Sequence, residues 1–324
     1  MVRFLAVRVA QAAAIVFLVA TLTFVLIHLA PGNPFTAGGE GMLIPPEIVE
    51  QQRRNFGLDR PLPVQYVRYL TNVVRGDFGY SYATHRPVRE AFLERVPNTL
   101  LLAGTGLIIM FTVGIALGAI QGSRPGSRTD DVLSLLTLGL YSTPVFWLGL
   151  MLLLVFAQGL HWFPVGGTHD AVVYPYLSGL GRIGSRLRHL VLPAMALGLV
   201  GAAVTARYQR AAMFDVIRQD FLRTARAKGL TERVVLTRHA LRNALLPTIT
   251  LFGLAFPVLL SGAVLVESVF AWPGLGRLAV DAVHQRDYAV VTGAAIVTAF
   301  MVVLGNLIAD VLYHVVDPRT RGTG

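Results

Sequence analysis

Six stretches of this 324-residue chain carry no charged side chain, and each is long enough to cross or nearly cross a bilayer as a helix. A crossing takes about 20 residues. The stretches are residues 9–27, 98–120, 132–160, 190–206, 243–266 and 288–309. Backbone amides surrounded by lipid must be bonded within their own segment, so helices are the expected solution. Barrel strands would alternate polar and apolar residues, and these windows do not alternate. The expected fold is therefore all-α: a polytopic membrane protein with six transmembrane helices. Composition agrees, with only 14% charged residues against about 25% in a soluble domain. The window 190–206 is short and weakly hydrophobic, which predicts shielding by neighbouring helices. For the first window the alternative is a cleaved signal peptide with Arg3 and Arg8 as its basic start. Its apolar run exceeds the usual length of such a peptide and no small-x-small site precedes Pro31, which favours a retained helix.

The net charge of +10 could suggest nucleic acid, so its placement matters. With a cytoplasmic N-terminus, the cytoplasmic segments hold 15 basic and 6 acidic residues, and the external ones 13 and 11. The excess on one side follows the positive-inside rule. It predicts that both termini are cytoplasmic and makes nucleic-acid binding unnecessary. The chain contains no cysteine, which excludes disulfides and thiolate metal sites.

The expected organisation is a first span in residues 1–30, an external loop in 31–96, a five-span core in 97–316 and a cytoplasmic tail in 317–324. The external loop has the signals of two short helices with proline near the first turn. In the second, residues 63–75, Val64, Val67, Leu70 and Val74 share a face. It is expected to lie on the membrane surface or cover the bundle, with substrate contact as the alternative. The loops 160–189 and 268–287 read as ordered caps rich in glycine, proline and aromatic residues.

The cytoplasmic segment 213–246 is the most informative. A helix through residues 217–228 is expected to stop at Gly229, a residue suited to the left-handed position after a helix end. A second helix is expected to begin with Thr231 as N-cap and Glu232 in its first turn, and Pro247 to mark entry into the fifth span. Ala225 and Gly229 are four apart, a spacing that puts small residues on one helical face, and Arg223, Arg226, Lys228 and Arg233 surround them. That pattern suits a helix docking in a partner's groove. An ordinary basic loop explains the arginines equally well.

The run Arg223-Thr-Ala-Arg-Ala-Lys-Gly229, with the later Leu246-Pro247, resembles the EAA loop of ABC importer permeases. The resemblance is to the dipeptide, oligopeptide and nickel branch, and to the first of its two permease types. His28-Leu-Ala-Pro-Gly-Asn-Pro34, Gly76-Asp-Phe-Gly79, Val96-Pro-Asn-Thr-Leu100 and Phe270-Ala-Trp-Pro-Gly-Leu-Gly276 are similar to that branch as well. The Glu-Ala-Ala of the loop's name is Arg223-Thr224-Ala225 here. The resemblance implies a type I importer permease fold in a bacterial inner membrane, forming half of a translocation pathway for di- or oligopeptides. It implies that Arg223, Thr224, Ala225, Arg226, Ala227, Lys228, Gly229 and Leu230 contact a cytoplasmic ATPase. The implied partners are a second homologous permease, two ATPase subunits that use ATP and magnesium, an extracytoplasmic substrate-binding protein, and membrane lipid. Nickel chelates, glutathione or oligosaccharides are the alternative cargoes.

Phosphate-loop chemistry needs Gly-x4-Gly-Lys-Ser/Thr. The single lysine, Lys228, sits between alanine and glycine, so the expectation is a non-enzymatic conduit that binds no cofactor. No hydrolase or metalloprotease motif occurs in the sequence. His28, His161 and His189 lack metal-ligand spacing and are expected at membrane boundaries. A secondary transporter, the different-class alternative, would carry ionisable residues at the midplane and inverted repeats, neither of which is present. Candidates for the translocation path are Glu267, Pro144 and Pro257, the prolines as kinks; Pro193 is a third candidate kink. Asn306 and Asp310 are expected to serve helix packing.

Overall fold

The computed structural model describes residues 2–29, 60–81 and 83–316. The first short helix expected in the external loop, most of the His28–Pro34 motif and the tail 317–324 lie outside the described residues. Among the described residues, regular structure is helical apart from a hairpin of two short strands, β1 (Tyr80–Ser81) and β2 (Arg86–Pro87). In chain order the helices are α1 (Val2–Leu29), α2 (Leu62–Val74), α3 (Val88–Ser123), α4 (Arg128–Ser142), α5 (Val145–Leu152), α6 (Gly179–Ile217), α7 (Asp220–Ala227), α8 (Glu232–Val234), α9 (Leu241–Val269), α10 (Leu275–His284) and α11 (Tyr288–Val316).

Among the described residues, α1, α3, α6 and α11 are long and apolar enough to cross a membrane, and α4 with α5 and its π-helical continuation, Leu153–Gly159, makes a fifth crossing if that pair is one span. The window 243–266 falls in α9, whose apolar portion Leu254–Val269 is shorter than the other crossings. The single helix expected over 132–160 is replaced by two that meet at 106°. Proline disfavours helical backbone in the residue before it, and Thr143 is extended while Pro144 caps the new helix. Pro193 and Pro257 sit inside unbroken helices. The shielding expected for the fourth window is present: 61% of the most apolar stretch of α6 is buried, against 6% for α1.

The described residues form two compact units. One gathers Met1–Thr99 with Pro273–Leu307. In it, α2 packs on α1 through Tyr66, whose hydroxyl lies 2.7 Å from that of Thr21, and through Gln65, whose Oε1 lies 3.1 Å from His28 Nε2. The Gly76–Gly79 motif forms a tight turn. Gly76 and Gly79 are both left-handed, and the Gly79 amide donates to Asp77 Oδ1 at 3.0 Å. The turn delivers Phe78 against Phe92, and both rings press on Gly293, where a Cβ would come within 2.6 Å of Phe92. The carboxylate of buried Asp287 caps α11 through the Val290 amide and accepts from Ser81 Oγ at 2.6 Å, so one residue ties the helix start to β1. Asn98 Nδ2 donates to Pro273 O at 2.9 Å, and the Leu275 amide donates to Thr99 Oγ1 at 2.8 Å. Two motifs 175 residues apart in the chain are thus bonded to each other. The cap expected over 268–287 contains α10, which buries Leu275, Leu278 and Ala282 at helical spacing.

The second unit gathers Leu100–Trp272 with Ile308–Thr323. Its core joins Leu102, Leu152, Leu192, Leu197, Leu259, Val266, Phe270 and Trp272. Gly114, Gly118 and Gly122 of α3 meet Thr205, Ala206, Gln209 and Met213 of α6 so closely that an added Cβ would fall 2.5–2.6 Å from the nearest atom. Small residues four apart allow this approach in membrane helices, where close packing replaces the hydrophobic effect as the source of association. Arg210 of α6 forms a bidentate pair with buried Asp130 of α4, both contacts at 2.7 Å.

Candidate coupling site

Helix α6 stops at Ile217, and the chain turns at Arg218 and Gln219 before α7 begins. The helix expected over 217–228 is thus shorter and separate from α6. Leu222 and Ala225 face inward and are buried against Met213 and Val216 of α6 and against Val235, Ala240 and Ala244. The small side chain of Ala225 thus seats α7 on its own chain. In the structure Gly229 is left-handed, at φ +77°. Its amide donates to Arg226 O at 2.9 Å, and the Leu230 amide to Ala225 O at 3.4 Å. These are the paired bonds of a Schellman ending, with Leu230 and Ala225 at its two ends. A Cβ at Gly229 would meet nothing within 4 Å, so conformation and not space requires glycine there.

The outward side of the segment carries Phe221, Arg223, Thr224, Ala227, Lys228, Gly229 and Leu230, all exposed. Arg223 makes a surface pair with Asp220 at 3.3 Å. The Thr224 hydroxyl donates to Asp220 O at 3.2 Å. Arg226 grips Glu232 with two contacts, 3.1 and 2.9 Å, across the Gly229 turn. That bond holds the Glu232 carboxyl below its ordinary range and the Arg226 guanidinium above its own. A carboxyl depressed on folding stabilises at pH above its unfolded value and loses that contribution as pH falls through the folded one. Both side chains are well exposed, so the pair is worth under about 1 kcal/mol. Glu232→Gln is accordingly expected to raise hydrogen exchange in residues 229–235 by less than about fivefold at pH 7. The difference from wild type should shrink as pH falls below the ordinary glutamate range and vanish once Glu232 is protonated in the folded state as well.

Thr231 occupies the N-cap position of α8, but its hydroxyl makes no capping bond; its carbonyl accepts from the Val234 and Val235 amides instead. From α8 the chain runs through a π-helical turn, Val235–Ala240, straight into α9. Pro247 therefore lies well inside α9 and marks no entry point.

The three path candidates separate. Glu267, near the end of α9, is fully buried, and its carbonyl accepts from the Trp272 amide at 2.8 Å. Pro144 stands at the 106° break. The next residue, Val145, lines an open apolar recess of about 410 Å³ with Leu197, Val204, Leu254, Val258 and Gly262. Neither Pro257 nor Glu267 lines it, although Ala255 and Val258 on either side of Pro257 do. His28 is bonded to Phe24 O and Gln65, and His189 to Ser185 O. Sequence reasoning missed the seam of Gly114, Gly118 and Gly122, although its four-residue spacing was a readable signal. It also missed the Asp130–Arg210 pair, which has no local signal.

Residues 114–322 match the model of the binding-protein-dependent transport system inner membrane component, and residues 1–103 match that of its N-terminal region. An oligopeptide transport system permease protein of Bacillus subtilis is 43% identical over 303 residues, 92% of each chain. A di/tripeptide permease protein of Pseudomonas aeruginosa is 39% identical over 99% of each chain. A dipeptide permease protein of Escherichia coli is 40% identical over 93% of each. With its several apolar crossings and a family match over most of its length, this chain belongs to the multi-pass inner-membrane components of binding-protein-dependent ABC importers.

Proposed function

We propose that the chain is one half of the translocation pathway of an ABC importer for di- and oligopeptides. It spans the membrane six times with both termini in the cytoplasm. The cargo rests on the names of relatives that align over nearly the full length. The topology rests on the charge asymmetry of the loops. The partners are a second permease of the same kind, two ATPase subunits that bind ATP and magnesium, and an external binding protein.

The coupling role is carried by one observation: α7 is anchored inward by Leu222 and Ala225 while its outward side stands free. Phe221 offers an exposed aromatic ring there, with Thr224 one turn on and Lys228 a further turn along. An aromatic anchor beside small and basic residues suits a groove with an acidic rim. ATP-driven closure of the ATPases would displace α7, and through the shared core of Met213 and Val216 would displace α6. Coupling in this sense is a free energy shared by the nucleotide state and the pore state. The apolar recess beside the Pro144 break is the proposed wall of the path. An apolar wall suits cargo whose side chains vary.

Thr224→Trp adds bulk on the outward side without touching the inward anchor. The variant is expected to insert and melt like wild type while the ATPase subunits no longer co-purify and uptake is lost. Co-purification and uptake at wild-type levels would refute the docking surface. Cargo is tested separately: deleting the chain should abolish uptake of labelled dipeptides. Intact dipeptide uptake with lost uptake of a nickel chelate, glutathione or an oligosaccharide would reassign it.

A further inference from the structure

Helix α2 turns its polar and aromatic side toward α1 and leaves its aliphatic stripe uncovered. Val64, Val67 and Val74 are 38%, 61% and 87% exposed, whereas Gln65 on the opposite side is buried. What covers that stripe follows from where α2 is attached. Tyr66 meets Thr21, the rings of Tyr66 and Tyr69 stand 5.2 and 5.4 Å from that of Phe24, and Gln65 meets His28. All three α1 residues belong to the apolar crossing Ala6–Leu29. At 1.5 Å per residue, Thr21 lies about 12 Å along the axis from Leu29. A helix fastened from Thr21 to His28 is therefore beside the outer third of a membrane span, at the depth of interfacial helices, roughly 5–10 Å below the headgroups.

The polar groups on and around the stripe fit that depth. Thr71 lies on the exposed side, and its hydroxyl donates to Val67 O at 2.8 Å, so its hydrogen needs no water. Arg68 and Arg75 follow Val64 and Thr71 by four residues and flank the stripe on one edge. Their long stems reach from an apolar surface to phosphate groups.

We propose that α2 is sunk in the leaflet at the Leu29 end of α1, the external leaflet in the topology above, with Val64, Val67, Leu70 and Val74 against phospholipid acyl chains. Arg68 and Arg75 then mark the headgroup level. Helix α2 is then fixed at a defined depth instead of floating above the membrane.

The natural absence of cysteine makes a site-specific test direct. Val67→Cys, in the full chain within its native assembly, is labelled with a small fluorophore and reconstituted in phosphatidylcholine nanodiscs with and without a shallow doxyl-labelled lipid. Quenching by the doxyl lipid should exceed quenching by aqueous iodide several-fold, and Val74→Cys should behave alike. Dominant iodide quenching would mean that the stripe faces water, and would overturn the proposal. Protection from both quenchers would mean that protein covers it, and would overturn it equally. None of these outcomes depends on cargo or on ATPase docking.

Discussion

Replacing Gly118 by alanine is expected to destabilise the protein by at least 2 kcal/mol, the upper part of the range for overpacking a tight contact. The new methyl would lie 2.5 Å from Ala206 O, 2.6 Å from Gln209 Cβ and 3.0 Å from the Arg210 amide. Two of these atoms are backbone, so no side-chain rotation relieves the clash and α3 must move away from α6. The same substitution at Gly104, in the same helix, meets nothing within 4 Å. There the loss of unfolded-state freedom should leave stability unchanged or raise it by up to about 1 kcal/mol. Reversible unfolding of the purified variants in mixed micelles with increasing dodecyl sulfate measures both. Equal effects at the two positions would show that the seam is not close-packed.

Breaking the Asp130–Arg210 pair is the second large effect, and the two ways of breaking it should differ. Asp130 has 2% of its side chain exposed and Arg210 42%. Asp130→Ala leaves an arginine that can rehydrate, so its cost belongs at the low end of the 3–5 kcal/mol typical for losing one partner of a buried pair. Arg210→Ala leaves a buried carboxylate supported by the Gly126 amide and the Ser134 hydroxyl alone, and should cost more, about 4–5 kcal/mol. The same unfolding assay gives the order. If Asp130→Ala proves the worse of the two, the carboxylate is better hydrated than its burial indicates.

How much of this could be read from the sequence depended on which physical constraint was local. The apolar crossings were legible because lipid leaves the backbone no alternative to a helix, and the composition of the fourth window foretold its burial. The Gly229 stop was legible because few residues other than glycine take a left-handed conformation without strain. The seating of Ala225 was not, because the direction of a side chain on a short helix depends on where the chain turns at Arg218 and Gln219. Three prolines looked alike as candidate kinks, but only Pro144 breaks its helix. Helix α10 was hidden among glycines and prolines, although Leu275, Leu278 and Ala282 have the spacing of a buried face. Contacts such as Asp130–Arg210 join residues 80 apart in the chain, and nothing near either residue announces the other.

Helix α6 runs unbroken through its 39 residues despite Pro193, a rod of about 58 Å. Near its C-terminal end it holds α7 through Met213 and Val216. At its other end Arg182 and Arg186 each stand 5.6 Å from the centre of the Tyr174 ring, and Arg188 donates to Trp162 O. A stiff rod pivoting near its middle works as a first-class lever: a tilt of about 5° displaces each tip by roughly 2.5 Å, in opposite directions, for the length that helical rise gives. If the ATPase contact proposed for α7 pushes on a rod pivoted in this way, the displacement reaches the Tyr174 loop with reversed sense.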